Sequence, residues 1–336
     1  MRHSVFACAA FGLSMSFTAH SNPSVAVDIA PLHSLVSQVM EGVGEPDLLI
    51  PAEASPHEYT LRPSQASALA NADVVFWIGE GLTPWLEKAL DNVAGSAQKV
   101  EMLALEETHT HEYREGATFE AHSDHGDEHH DDEKHHDEHK DHDGHRDHDD
   151  HDAHKVEGGH HGHDHHGNDP HAWLDPENAK AWIAVIQEKL SAVDPDNAST
   201  YKNNAAEATA SLNALIADTN AKVSKLGDVK FIVFHDAYQY FEQRFNVIAT
   251  GAISLGDAED PSPKRIKEIR ETVQKLNVNC VFTEPQYNPG LVKNVFEGTS
   301  ITTIGVMDPL GASIPEGSKH YQALIEAMVN SLSQCK

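Results

Sequence analysis

The sequence predicts an α/β protein built as two (β/α)4 lobes, each around a four-stranded parallel sheet, joined by one long rigid helix. Three observations predict it. Short apolar strands alternate with amphipathic helices from residue 25 to residue 102, an order that implies parallel strands with right-handed crossovers. The same plan returns after residue 227. Between the two runs lies an alanine-rich stretch, residues 195–226, with no proline after Pro195. A chain of 336 residues also suits two lobes of ordinary size better than one core.

In chain order, residues 25–29 (VAVDI) alternate as a strand, and residues 31–40 place Leu32, Leu35, Val36 and Val39 at helical spacing. Residues 47–50 read as a second strand. A stiff polar loop containing Pro51, Pro56 and Pro63 carries His57 and ends in a helix start at Ser64, with the helix over 65–70. Residues 73–78 (DVVFWI) are nearly all apolar, as expected for a strand covered on both faces. Gly79 and Gly81 break it. A helix over 84–93 and a strand over 99–102 complete the first run.

An insertion follows, spanning residues 106–168. It holds nineteen histidines between His109 and His166, interleaved with aspartate and glutamate. Between Glu106 and Asp169 there are 22 acidic residues against five basic ones, so −17 of the formal net charge of −29 sits here. With almost no apolar residues, such a segment cannot bury enough surface to offset its ordering entropy, and it is expected to be disordered without metal. Its composition reads as a metal-collecting tract. The plainer alternative is a dispensable solvated run.

Asp175-Pro176-Glu177 is a strong helix start, with Asp as the cap and Pro in the first turn. A helix follows over 179–190. Asp194-Pro195-Asp196 repeats the signal and opens the long helix, which places Leu212, Leu215, Ile216, Val223 and Leu226 on one stripe and reaches some 45 Å at ~1.5 Å per residue. The second half then reads as strands over 230–234, 247–250, 279–283 and 302–306. Helices lie over 236–245, 264–276, 291–297 and 318–332. The domain plan is therefore a first lobe over 23–175 with its insertion, a helix of that lobe over 176–194, the linking helix over 195–226, and a second lobe over 227–336.

Residues 1–22 read as a secretory signal: Arg2 and His3, then a short apolar run too brief to span a membrane. Export removes Cys8 and leaves Cys280 and Cys335, an even pair best read as one disulfide, with two free thiols as the alternative. No clustered basic surface offers a nucleic-acid site.

The chemistry gathers by position. His57 follows the second strand, and His171 follows the fourth and its insertion. His235 caps the fifth strand, Glu284 the seventh and Asp308 the eighth. All lie at carboxyl ends of parallel strands, the edge where open α/β sheets bind ligands. Three neutral imidazoles with one carboxylate suit Zn²⁺. Taken singly, each residue has a blander reading. His57 could be exposed loop surface and His235 a satisfied core histidine. Asp175 reads as a helix cap, and Glu284 and Asp308 as turn residues before prolines.

The segments Ser55-Pro56-His57-Glu58-Tyr59, Asp169-Pro170-His171-Ala172-Trp173-Leu174-Asp175-Pro176, Phe234-His235-Asp236-Ala237-Tyr238, Thr283-Glu284-Pro285-Gln286 and Asp308-Pro309-Leu310-Gly311 resemble the metal-binding solute-binding proteins of ABC transporters, the zinc-uptake members most of all. The resemblance covers the whole mature chain. It implies a periplasmic, monomeric protein of a Gram-negative-type cell that captures Zn²⁺ and delivers it to a membrane permease. It implies His57, His171 and His235 as zinc ligands, with Asp308 completing the site in some members and a nearby glutamate such as Glu58, or a water, in others. The terminal cysteine pair and the histidine-rich insertion also resemble those members. Rival readings are a manganese or iron protein of the same family with adhesin behaviour, a zinc buffer without a transporter, and a three-histidine zinc hydrolase. Collection by the tract is expected to weaken in acid as its histidines protonate.

Overall fold

The computed structural model describes residues 22–114, 119, 167–254, 262–278, 280–287, 289–299, 301 and 303–335. The expected signal segment and the body of the histidine-rich insertion lie outside them.

The first sheet contains β1 (Val25–Val27), β2 (Asp47–Leu48), β3 (Val74–Trp77) and β4 (Gln98–Glu101) in the order β2-β1-β3-β4, all parallel. Helices α1 (Ala30–Met40), α2 (Pro63–Asn71) and α3 (Pro84–Val93) connect them. Helix α4 (Pro176–Val193) follows the insertion and α5 (Ala198–Val223) follows α4. The second sheet takes β5 (Phe231–His235), β6 (Gly251–Ser254), β7 (Cys280–Thr283) and β8 (Thr303–Val306) in the order β6-β5-β7-β8, again parallel. Its helices are α6 (Gln239–Phe245), α7 (Pro263–Leu276), α8 (Pro289–Phe296) and α9 (His320–Leu332).

The near-continuous apolar strands have a simple cause. In β5, Phe231 and Val233 face a core shared with α1, α4, α5 and α9, while Ile232 and Phe234 face a second cluster built with Ile269 and Val273 of α7 and Val292 and Val295 of α8. Both faces are covered, so neither can be polar. The shared core runs without a break from the first sheet to the second, so the lobes meet on a common apolar seam. Helix α5 lines that seam with Tyr201, Ala205, Ala208, Leu212, Leu215, Thr219 and Val223, at helical spacing.

Several boundaries differ from expectation. The sixth strand is Gly251–Ser254, not residues 247–250. Helix α6 ends on a left-handed Asn246 (φ 53°), and Val247 N–H returns to the Glu242 carbonyl at 3.0 Å, so those four residues are spent on the turn. Only then does Thr250 N–H reach the Phe231 carbonyl at 2.8 Å and start the ladder. Helix α2 begins at Pro63 rather than after Ser64, with Arg62 N–H donating to Gln65 Oε1 at 2.7 Å. The long helix is 26 residues, about 39 Å, not 45 Å. Its expected first turn is a separate 3-10 turn, Pro195–Asn197, fastened by Asp194 Oδ2 to Asn197 Nδ2 and the Tyr201 hydroxyl.

Cys280 and Cys335 form a disulfide with a Cα–Cα distance of 5.7 Å, tying the start of β7 to the segment after α9. Among the described residues no helix is long and apolar enough to cross a membrane.

Candidate metal site

Three histidines converge between the lobes. His57 stands on the loop after β2. That loop is braced by Trp85 of α3, whose Nε1–H donates to the Pro56 carbonyl at 2.8 Å. His171 precedes the short 3-10 turn Ala172–Leu174, which leads into α4. His235 is the last residue of β5. One ligand-capable atom from each of these three lies within 4.8 Å of the others. His171 and His235 are buried and His57 half-buried.

The two buried imidazoles are fixed by carboxylates. His171 Nδ1 lies 2.7 Å from Asp169 Oδ1, which also accepts the His171 backbone N–H at 3.0 Å. His235 Nδ1 lies 2.8 Å from Glu284 Oε1, which accepts the His235 backbone N–H at 3.2 Å. A carboxylate can only accept here, so each Nδ1 carries the hydrogen and each Nε2 presents a lone pair. Those two Nε2 atoms are 3.4 Å apart. Two nitrogens on a tetrahedral zinc, each at ~2.05 Å, stand about 3.3–3.4 Å apart. The donor set and spacing therefore fit Zn²⁺.

The surrounding cavity is small and is lined by Ser55, Pro56, Trp173, Gln286, Tyr287, Pro309 and Leu310 besides the histidines and Glu284.

Sequence reasoning named Glu284 as an edge residue but did not identify it, or Asp169, as the acceptor that orients a histidine. A carboxylate two residues before a histidine was a usable local signal for Asp169. Glu284 is 49 residues from His235 in sequence, and only sheet pairing joins them. Asp308 lies outside the three-histidine group. Its Oδ1 accepts from Leu310 N–H at 2.9 Å and Gln286 Nε2 at 3.0 Å, and its Oδ2 from Ala312 N–H at 2.6 Å. Glu58 is exposed and also outside the group.

Beside the site, Arg114 pairs with Asp236 and Glu242. Burial raises both carboxyls above the ordinary range, and the Arg114 guanidinium opposes that rise.

Residues 25–335 match the protein family described as zinc-uptake complex component A, periplasmic. The chain belongs to this family. It is 43% identical to the high-affinity zinc uptake system protein ZnuA of Brucella abortus, over 99% of this chain and 98% of that one. It is 41% identical to the ZnuA of Paracoccus denitrificans over 93% and 91%. Among solved structures, a ZnuA crystal structure superposes with a TM-score of 0.68 at 21% identity, covering 94% of this chain and 99% of that one. The laminin-binding protein of Streptococcus agalactiae, described as having adhesin and metal-transporting activity, gives 0.66 at 20% identity, with 93% and 100% covered. These two likenesses show the shared fold: two four-stranded parallel sheets with a long helix between them.

Proposed function

We propose that this chain captures Zn²⁺ outside the cytoplasmic membrane and delivers it to an ABC permease, as an exported, monomeric protein of the periplasm. The observation that carries the reading is the 3.4 Å approach of His171 Nε2 and His235 Nε2, each imidazole held in its metal-ready tautomer by a carboxylate. The 43% identity to a zinc uptake protein supports zinc as the cargo. Neutral imidazoles also favour zinc over manganese, which prefers oxygen donors.

His57, His171 and His235 are the three protein ligands in this reading. For the fourth position we favour a water over Asp308. The Asp308 carboxylate already accepts three hydrogen bonds that shape the turn after β8. Gln286 Nε2 donates to Asp308 and to the Ala52 carbonyl at 2.9 Å, which fixes the amide and leaves its Oε1 buried without a hydrogen-bond partner. Ser55 Oγ is likewise buried and unpartnered, and both residues line the cavity. A water on the ion would satisfy these two oxygens. The chain makes and breaks no bond in this role, and the carboxylates nearest the histidines are occupied as orienting groups.

Calorimetric zinc titration tests the reading, on the mature chain and on a chain lacking residues 120–166, each with and without His235→Ala. One tight site is expected in both chains and is lost with His235. Absence of a tight site from the shortened chain would move binding into the tract and overturn the assignment.

A further inference from the structure

The foot of the histidine-rich insertion is built into the metal site. Leaving β4, the chain is held by Asn178 of α4, which accepts His109 N–H at 2.8 Å and donates to the His109 carbonyl at 2.9 Å. Glu112 and Asn168 then form an antiparallel bridge, and Asp169 N–H donates to the His111 carbonyl at 2.8 Å. The two ends of the insertion are thus paired beside Asp169, the residue that orients His171. Tyr240 of α6 closes this junction from the second lobe: its hydroxyl accepts His111 N–H at 3.0 Å and donates to the Asp169 carbonyl at 2.7 Å.

Three residues further on, Arg114 crosses to the second lobe. Its Nε donates to both Asp236 oxygens at 3.0 Å, its Nη2 also binds Asp236, and its Nη1 donates to Glu242 Oε2 at 2.6 Å. The side chains of Arg114, Asp236 and Glu242 are 15%, 6% and 1% exposed. Phe119 covers the guanidinium, with its ring centroid 3.6 Å from Cζ, and its own N–H donates to the Thr250 carbonyl at 3.0 Å. Asp236 directly follows His235.

We infer that Arg114 is a positioning residue of the zinc site: with His111 it forms a yoke that fixes Asp169, and so His171, relative to Asp236, and so His235. The segment belongs to the first lobe, yet its fork grips the turn that carries the second lobe's ligand. The ligand spacing between lobes is therefore held by the insertion's foot as well as by the shared core. Lysine could keep the charge but not the bidentate fork, so Arg114→Lys loosens this spacing without emptying the ion-pair site. A looser site changes mainly how fast the ion leaves. The inference rests on the cleft being the zinc site.

The test is zinc dissociation into a chromophoric chelator from the full chain, with thermal unfolding of the metal-free protein alongside. Arg114→Lys is expected to release zinc at least tenfold faster, to bind it at the native rate, and to unfold within a few degrees of wild type. Should that variant fail to fold, the uncharged Arg114→Met/Asp236→Asn/Glu242→Gln protein takes its place, with the same faster release expected. Native release from a folded variant would overturn the inference and leave the cluster a purely structural ion pair. Deleting residues 120–166 should leave release unchanged, whereas deleting 109–166 should accelerate it; equal behaviour of the two would also overturn it. If the wild-type release rate is itself unaffected by His235→Ala, the cleft assignment fails instead.

Discussion

His171 Nε2 and His235 Nε2 stand 3.4 Å apart although one comes from each lobe. Each ring is aimed by a buried carboxylate on its own lobe, Asp169 for the first and Glu284 for the second. Both rings are therefore held in place by carboxylates that lie outside the three-histidine group.

The first prediction concerns these carboxylates. Glu284→Gln and Asp169→Asn each remove the charge that holds an Nδ1 hydrogen while keeping the shape. Zinc affinity measured by chelator competition should fall about 10- to 100-fold in each. His235→Ala should lose far more. An affinity unchanged in both amide variants would show that the rings are aimed by packing alone.

Asp308 offers a second. As the acceptor for Leu310 N–H, Ala312 N–H and Gln286, it should contribute stability more than affinity. Asp308→Ala is expected to cost about 2–3 kcal/mol in unfolding, with zinc affinity down by less than tenfold. A loss as large as that of His235→Ala would make Asp308 a ligand.

Asp28 gives a pH dependence. Burial pushes its carboxyl up to about 7, despite hydrogen bonds from the Ile29 and Ile78 N–H groups. The unfolded group titrates near 3.8, so between pH 4 and 7 the folded state holds a proton that the unfolded state has lost. This contribution is fully present below pH 4 and is lost as pH rises to 7, at about 1.4 kcal/mol per unit. Urea unfolding of wild type and Asp28→Asn across that range should show the difference between them changing with this sign. A difference independent of pH would mean that Asp28 ionises normally in the fold.

The disulfide gives a fourth. Cys280 and Cys335 close a loop of 55 residues, so Cys335→Ser should lower stability by about 3–4 kcal/mol. Cys280 opens β7, whereas Glu284 follows its other end, so zinc affinity should stay within about twofold. Equal stability of the oxidised wild type and the serine variant in denaturant titration would contradict this.

Much of this architecture was legible. Runs such as DVVFWI and KFIVF announced strands covered on both faces, and Asp175-Pro176-Glu177 announced α4, where Asp175 Oδ1 indeed accepts Glu177 N–H at 2.9 Å. Boundaries failed where local and non-local demands compete. Val247 and Ile248 have strand-forming side chains, yet the left-handed exit at Asn246 uses them in a turn. Asp308 was a candidate ligand by its place at a strand end and by the family resemblance. Whether a carboxylate there faces an ion or its own turn depends on where Leu310 and Ala312 place their N–H groups.

The sequence by itself determined the order of elements, the repetition of the βα plan, the cysteine pair and the three histidines at equivalent strand ends, because hydrophobic period, turn chemistry and residue type are local properties. Tertiary structure alone decided what holds those histidines. The pairings of Glu284 with His235, of Arg114 with Asp236 and of His111 with Asp169 join residues 49, 122 and 58 positions apart. Strand pairing of β5 with β7 makes the first and the meeting of the insertion's two ends makes the last, while Arg114–Asp236 needs the two lobes to pack on one apolar seam; no hydrophobic period in the chain records any of them.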